Sequence, residues 1–475
     1  MTSATPDLRA LAGDRPVHFM GIGGAGMCGL AELLVRSGGR VSGCDQKESA
    51  ALADLARIGA AVSLGHDAAH VASASALVIT SAVPQDHPEV VAARRAGIPV
   101  LKRAEALGAW VASGTVVAIA GTHGKTTTTA MTTEVLARAG KDPTGIVGGR
   151  VAAWDGNLRF GSPSLYVVEA DEYDRSFHQL TPDIAVVTNV EADHLDIYGD
   201  YTGVRAGFAQ FLEGVRSGGR VIACADDHGA SSLLPRVASK AYTYGTSAGS
   251  MLRATDVSVG ADLTRCTVLE DGRRVGTLAL RKGGRHNLLN ALAAAAVARA
   301  FGVDWIPIRE ALADFAGVAR RFERLGDAAG VLVIDDYAHH PTEITATLAT
   351  ARASFPGARL VVAFQPHLFS RTRDFTVEFG RALALADVVW VTDVFPAREA
   401  PIPGVTGETV VQATRAAGAE DVRYHPDIAS VADALAEDLR SGDVLITLGA
   451  GSIETVGRAV LARLSRVGPR KVVHA

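Results

Sequence analysis

Cysteine is scarce: there are four in 475 residues, Cys28, Cys44, Cys224 and Cys266, and no C-x-x-C pair. That spacing offers no disulfide framework and argues against a zinc site, so buried free thiols are the expectation. Charge of one sign is not in excess either. The net charge is −4, which leaves no global basic field for nucleic acid or an anionic membrane. No apolar run reaches the roughly 20 residues of a spanning helix, so no membrane insertion is expected. The opening segment, MTSATPDLRALAGDRP, lacks the apolar core of a secretory signal, and the expected compartment is the cytoplasm. Short-period repeats and long low-complexity linkers are absent too.

What is present reads as a soluble globular chain, 48% apolar and 21% charged, long enough for two to four domains. Short Val/Ile-rich runs alternate with Ala/Leu-rich amphipathic stretches, the rhythm of βαβ units with buried parallel strands. Strands are expected at Val17–Ile22, Arg40–Asp45 and Leu77–Val83, then at Val116–Gly121, Leu165–Ala170, Ile184–Val190 and Val221–Ala225. Val331–Tyr337, Leu360–Gln365, Val388–Val394 and Val444–Leu448 follow. From Tyr242 to Leu280 the pattern turns to alternation around Asp271-Gly272, which predicts a small antiparallel insertion. Seams at Ala112-Ser113-Gly114 and Leu325–Gly330 divide the chain into α/β domains at 1–112, 113–325 and 326–475. The expected fold class is thus α/β in three domains. The first and last are Rossmann-like, and the central one is a P-loop ATPase-type, mostly parallel sheet.

The sharpest local signal is Gly121-Thr122-His123-Gly124-Lys125-Thr126-Thr127, directly after an apolar run and before a Thr/Ala-rich helix. Glycines let backbone N–H groups turn towards phosphate oxygens, and the helix N-terminus adds a positive dipole end. Lys125 is placed to reach β- and γ-phosphates, and the Thr126 hydroxyl to coordinate Mg²⁺. Two further strand ends carry polar clusters, Glu169-Ala170-Asp171-Glu172 and Thr188-Asn189-Val190-Glu191-Ala192-Asp193-His194. Ligands gather at such edges of open α/β sheets. Glu169, nearest its strand end, is the first choice for a metal carboxylate; solvated charge is the plainer reading of Asp171, Glu172 and Asp174. His194 closes a third edge around the same presumed ATP–metal site. A separate motif, Gly21-Ile22-Gly23-Gly24-Ala25-Gly26, with Asp45 at the next strand end, fits G-x-G-x-x-G. Taken alone it suggests NAD; physically it says only that a pyrophosphate can sit on that helix N-terminus.

The segments GTHGKTTTT, VVEADE and TNVEADHLD, in that order, resemble the ATPase domain of the Mur ligase family. GRHNLLNA from Gly284 resembles the family's adenine-side motif, GVARRFE from Gly317 its hinge arginine segment, and DDYAHHP from Asp335 the start of its third domain. The resemblance runs from about residue 16 to about residue 455. In the first domain Gly21–Met27, Gly65-His66 and Thr80-Ser81-Ala82 are similar to the branch that adds L-alanine to UDP-N-acetylmuramate, as is FQPHLFSRT from Phe364. Two departures stand out. Leu368 occupies a position where that branch is expected to carry arginine, so one basic group is either missing there or supplied by Arg371 or Arg373. No lysine lies between His194 and Arg220, so the carbamylated lysine of some relatives has no counterpart there.

The resemblance implies an ATP-dependent ligase that activates a carboxylate as an acyl phosphate and couples it to an amine, in peptidoglycan precursor synthesis. It implies Lys125, Gly121, Thr122, Gly124, Thr126 and Thr127 on ATP phosphates, and Thr126, Glu169 and His194 on Mg²⁺, with Mn²⁺ also compatible. Asn287 and Asn290 would face the nucleotide, Arg321 would reach phosphate, and Asp336 would fix the ribose or the domain junction. Gly23, Gly24, Ala25, Gly26, Asp45, His66 and Ser81 would hold the UDP-sugar. His339, His367 and Arg371 would orient L-alanine and the acyl phosphate. The expected assembly is a monomer or a dimer. Another amino-acid-adding ligase of the same family, including the one that recycles ready-made peptides, an NAD(P)-binding oxidoreductase or redox sensor, and a non-catalytic nucleotide-binding regulator remain alternatives at this point.

Overall fold

The computed structural model describes residues 6–260, 263–281 and 283–467. By chain contacts it divides into two compact units. The first comprises Met1–Val257, Arg265–Leu280 and Leu289–Ala316; the second comprises Ser258–Thr264, Arg281–Leu288 and Gly317–Ala475. The architecture is three-domain α/β, with one sheet to each domain, and the first two sheets lie in the first unit.

The first sheet holds β1 (Val17–Met20), β2 (Val41–Asp45), β3 (Ala61–Leu64), β4 (Ala76–Ile79) and β5 (Val100–Lys102). They pair in the order β3-β2-β1-β4-β5, all parallel. The order reverses beside β1, so a crevice opens at the C-terminal end of that strand. The chain leaves β1 through Gly21 (φ 75°) into the helix Ala25–Arg36. That helix buries Met27, Leu30, Leu33 and Leu34 against the sheet. It stops where Gly38 adopts φ 86°, with the Gly39 amide returning to Leu34 O at 2.9 Å. Truncating Leu34 to alanine would cost about 3 kcal/mol.

The second sheet holds β6 (Thr115–Ala120), β7 (Pro143–Val151), β8 (Gly156–Arg159), β9 (Ser162–Glu169), β10 (Ile184–Val187) and β11 (Arg220–Cys224). It continues through β12 (Ala241–Gly245), β13 (Leu252–Val259), β14 (Thr264–Glu270) and β15 (Arg273–Leu280). The order is β15-β14-β13-β12-β11-β10-β6-β9-β7-β8. Strands β12 and β13 extend the parallel sheet, so the antiparallel part is narrower than the alternation from Tyr242 suggests. The tight turn is where the sequence places it: Asp271 (φ 49°) and Gly272 (φ 75°) join β14 to β15, both left-handed as such a two-residue turn requires. The antiparallel pair β7–β8 lies at the other edge, where no sequence signal marks it.

The third sheet, in the second unit, holds β16 (Glu323–Ala328), β17 (Val331–Asp336), β18 (Leu360–Phe364), β19 (Val388–Val391), β20 (Val422–Tyr424) and β21 (Val444–Leu448). Its order is β16-β17-β21-β18-β19-β20, parallel except for β16. The seam expected at 325/326 falls inside β16; that at 112/113 falls between the helix Arg103–Val111 and β6. Central strands such as β18 and β21 are buried along their whole length, because helices cover both faces of the sheet. Several expected strands end early, β1 at Met20, β4 at Ile79 and β10 at Val187. Their apolar runs continue into the loops beyond, and those loops carry the polar clusters.

Candidate functional site

The loop after β6 is built for close approach. Gly121 has φ 139° and Gly124 φ 81°; a Cβ at Gly121 would collide with Thr188 Oγ1. Side chains at the end of β10 clamp the loop: Asn189 Oδ1 accepts from His123 N (2.7 Å), while Asn189 Nδ2 and Thr188 Oγ1 donate to His123 O (3.0 and 2.6 Å). Thr122 Oγ1 accepts from Glu191 N at 2.9 Å. The helix Lys125–Arg138 then starts on Gly124 with no side-chain cap, so its first-turn amides have no acceptors within the helix. Asn290 sits under this start: its Oδ1 accepts from Thr128 Oγ1 at 3.1 Å and lies where a Cβ on Gly124 would project. Thr127 is buried in the same turn.

Lys125 folds back over the loop. Its Nζ donates to Gly121 O (2.7 Å) and Thr122 O (3.1 Å), and pairs with Glu172 Oε2 at 2.8 Å. Burial disfavours the ammonium, but the Glu172 and Asp171 carboxylates outweigh it and raise the Lys125 pKa. Glu172 is 2% exposed, burial pushing its carboxyl up while Lys125 pulls it back. Glu172 Oε1 also lies 3.8 Å from His194 Nε2, which is equally close to Asp193. His194 holds φ 52° at the start of a short helical turn. Beside them Thr126 Oγ1 donates to Glu169 Oε1 at 3.0 Å, and Glu169 Oε2 accepts from Gly148 N at 2.7 Å. Lys125, Thr126, Glu169 and His194 are therefore together, as expected, and Glu172 links two of them. The plainer reading of Glu172 as solvated charge is corrected by its burial. A hydroxyl and several carboxylates in one place form an oxygen-rich donor set that suits a hard divalent cation.

In the first sheet the glycine loop is closed by Asp45, whose Oδ2 accepts from Gly23 N at 2.9 Å. Gly24 and Ala25 are exposed at the helix start, and Gly26 faces Arg103. A cavity of about 160 Å³ runs from Gly26 and Arg103 past Gly148 to Glu169 and Asp171, joining the glycine-loop helix to the metal-type carboxylates. Ser81 Oγ donates to Asp174 Oδ2 (2.6 Å), which also takes Lys102 Nζ (2.7 Å). Burial works against the Asp174 charge, but these two donors hold its pKa down. His66 follows Gly65, whose amide donates to Asp45 O (2.8 Å), and its Nδ1 is 3.1 Å from Cys44 Sγ. Sequence reasoning gave no role to Arg103, Lys102, Thr188 or Asn189; Thr188 and Asn189 carried a signal, as the first two residues of the TNVEADHLD run.

The second unit has its own polar cluster at the C-terminal ends of β17 and β18. Arg321 lies over the Tyr337 ring at 5.1 Å and 3.5 Å from Glu343. His339 Nδ1 is 3.0 Å from Tyr337 O and 3.3 Å from Glu343, and its ring meets His367 at 5.8 Å. Arg371, 5% exposed, brings Nη1 to 3.4 Å from His367 Nδ1. His339, His367 and Arg371 are thus brought together. Leu368 is buried with φ 69°, and Arg373 turns away to Asp374. Of the two candidate substitutes for the missing arginine, Arg371 is the one in the cluster. Asp336 accepts from Phe322 N, Ala338 N and Thr347 Oγ1, tying the Arg321 turn to β17; burial raises its pKa to about 6 against the pull of Arg321. Asn287 Nδ2 donates to Gly283 O at 2.9 Å, so Asn287 and Asn290 have separate partners.

Together these features define an α/β enzyme with a phosphate-loop type turn, a carboxylate-rich strand edge beside it and a second glycine loop at the start of a helix. Family models for the Mur ligase family catalytic domain, the Mur ligase middle domain and the Mur ligase glutamate ligase domain match residues 16–115, 119–298 and 320–451. A UDP-N-acetylmuramate–L-alanine ligase of Oleidesulfovibrio alaskensis is 47% identical over 94% of this chain and 98% of its own. The crystal structure of UDP-N-acetylmuramate–alanine ligase from Thermotoga maritima superposes with TM-score 0.82 at 30% identity, covering 95% of this chain and all of that one. A murein peptide ligase from Psychrobacter arcticus shares the fold, with TM-score 0.70 at 24% identity over 97% of this chain and all of that one. The chain belongs to the Mur ligase family.

Proposed function

We propose that this protein is an ATP-dependent ligase joining the lactyl carboxylate of UDP-N-acetylmuramate to L-alanine in peptidoglycan precursor synthesis. Identity of 47% to an alanine-adding ligase over nearly the full length of both chains is the observation that carries this reading. The oxidoreductase alternative accounts for only the first glycine loop and leaves the Lys125–Glu172–His194 cluster without a purpose. Among the described residues no helix is long and apolar enough to cross a membrane, and a cytoplasmic enzyme acting on a nucleotide-sugar fits that.

A carboxylate resists attack by an amine because it is resonance-stabilised and anionic. Phosphorylation by ATP converts it to an acyl phosphate, whose phosphate leaves when the amine attacks; ADP and phosphate are the by-products. Lys125 exchanges Glu172 and its own loop carbonyls for the β/γ-phosphates, while the first-turn amides from Gly124 to Thr127 cradle them. Thr126 and Glu169, with His194 on the far side of Glu172, would hold Mg²⁺ or Mn²⁺. Such an ion, when bound, offsets charge between ATP and the acceptor carboxylate. The glycine loop Gly23–Gly26 and Arg103 receive the diphosphate end of the sugar nucleotide, and the 160 Å³ cavity leads its muramyl carboxylate towards Glu169. Arg321, His339, His367 and Arg371 bind the amino acid and the transferring phosphate. Asn290 positions the phosphate-loop helix, and Asp336 positions Arg321. The three domains are divided at residues 112/113 and, by the start of the second unit, near Gly317.

The test is phosphate release from ATP with UDP-N-acetylmuramate, with and without L-alanine. Release that requires both acceptor and L-alanine is the expected result. Release supported by a peptide and not by L-alanine would replace this reading with the peptide-recycling one, which the Psychrobacter fold match alone does not favour.

A further inference from the structure

One polar cluster plays no part in this chemistry. His18 on β1 and Cys44 on β2 point to the same face of the first sheet, since the register pairs His18 with Ser42 and Met20 with Cys44. Glu89 enters that face from the helix Pro88–Arg95, and His70 from the short turn Ala68–Val71. Met20, Val71, Leu77, Ile79 and Val90 pack around it, and His66 Nδ1 stands 3.6 Å from Glu89 Oε1. Glu89 is 0% exposed, yet its firm hydrogen bond is a single one, from Asp67 N at 2.9 Å. The Cys44 thiol, at 3.4 and 3.5 Å from its two oxygens, has one hydrogen to share between them. Among the described residues His18 Nε2 and His70 Nδ1 are buried without a hydrogen-bond partner, though they stand 3.9 and 3.4 Å from the carboxylate. A buried carboxylate and unsatisfied imidazole nitrogens facing one point need an explanation.

We propose that His18, Cys44, His70 and Glu89 form a binding site for a divalent transition-metal ion of the zinc type. The four ligand atoms all lie within 4.8 Å of one another. A tetrahedral zinc with bonds of about 2.0–2.3 Å separates its ligands by about 3.3–3.8 Å. From Glu89 Oε1 it is 3.4 Å to both Cys44 Sγ and His70 Nδ1, near that edge length, and His18 Nε2 stands 3.9 Å from the other oxygen, Oε2. One sulfur, two imidazole nitrogens and one carboxylate oxygen form a borderline-soft set that Mg²⁺ does not favour. Four protein ligands leave no open position, so the ion is structural, fastening the turn Ala68–Val71 and the helix Pro88–Arg95 to β1 and β2. Supporting contacts are in place. With Nδ1 of His18 donating to Ser42 Oγ (2.9 Å), Nε2 presents its lone pair to the cluster. His66 Nδ1, 3.1 Å from Cys44 Sγ, is placed to take the thiol proton as the sulfur–metal bond forms, and His66 is open enough to pass it to water. The cysteine spacing gave no hint of this site, because it uses one cysteine and ligands from four separate elements.

The experiment strips the full-length protein with a chelator and titrates it with Co²⁺, then Zn²⁺. The expected result is one thiolate-to-cobalt charge-transfer band that saturates at one equivalent and is displaced by Zn²⁺. The band should vanish in Cys44→Ser while phosphate release with both substrates persists. Oxygen-ligand sites beside Glu169 give no such band, and Cys28 is controlled for by Cys44→Ser. In His70→Asn, Zn²⁺ affinity should fall at least about tenfold, which reads the site even if Cys44→Ser folds poorly. No band in the wild type at excess cobalt, an unchanged band in Cys44→Ser, or unaltered zinc affinity in His70→Asn would each overturn the proposal.

Discussion

The first unit contains two glycine loops of one design, and they differ in what occupies them. Both leave a central parallel strand, turn on a left-handed glycine and enter an uncapped helix: Gly21 into Ala25–Arg36, Gly121 into Lys125–Arg138. Both helices end on a left-handed glycine, Gly38 and Gly140. The first loop is closed by a carboxylate, Asp45 on Gly23 N, and has no lysine. The second carries Lys125 in a buried pair with Glu172, next to the Thr126–Glu169 hydrogen bond. A backbone cradle with a helix dipole is enough to seat a diphosphate that is only bound. A phosphate that is transferred needs mobile positive charge and metal ligands beside it, because charge redistributes during the step. On the proposed function, the backbone design sets where phosphate sits, and the side chains beside it set whether that phosphate reacts.

Changes at the second loop should therefore cost far more than changes at the first. Lys125→Ala should lower turnover by about 10²–10³-fold or more with the fold intact; phosphate release and a thermal melt measure both. Near-native turnover would remove the functional contrast between the loops. Next in size, Glu169→Gln should raise the Mg²⁺ concentration for half-maximal activity by about tenfold. An unchanged Mg²⁺ titration would take Glu169 out of the metal shell.

Glu172→Gln sharpens the comparison through stability. Removing one partner of a buried ion pair typically costs about 3 kcal/mol, so the unliganded variant should melt earlier. A bound ATP analogue supplies Lys125 with new negative charge, so the nucleotide-induced rise in melting temperature should be larger in the variant than in the wild type. Equal rises would mean that Lys125 does not leave Glu172 for phosphate.

How much of this is legible in the sequence follows from distance along the chain. Both glycine loops are local patterns, strand, glycine and helix within about ten residues, and they are readable. The fold class is readable for the same reason, since buried parallel strands are short apolar runs. Glu172 is not. Its inward aim depends on a turn in which Asp174 and Arg175 both adopt left-handed φ (52° and 55°), a conformation no propensity marks. Arg103 reaches the first loop from the start of the helix after β5, two strands across the sheet from β1, and its neighbours in sequence give no reason to single it out. The cluster of His339, His367 and Arg371 is reached only through family likeness, because adjacency of β17, β21 and β18 brings together residues whose order in the chain does not. Leu368 shows the converse: a position expected to be basic is buried and apolar, and Arg371, three residues on, stands beside His367.

The smallest expected effect lies at Asp45. Its Oδ2 holds Gly23 N and its Oδ1 holds Gln46 N, so the residue shapes the loop from behind. In Asp45→Asn one amide oxygen can still accept from Gly23, while the NH₂ group faces the Gln46 donor and that bond is lost. The position is half-buried, so solvent recovers part of the loss; about 1 kcal/mol remains. That is an approximately fivefold rise in KM for the sugar nucleotide, with kcat unchanged, because a loop that only binds alters ground and transition states alike. Steady-state kinetics with UDP-N-acetylmuramate varied at saturating ATP and L-alanine would read it. A fall in kcat of the size expected for Lys125→Ala would mean the first loop takes part in the chemistry, and the division of labour between the two loops would fail.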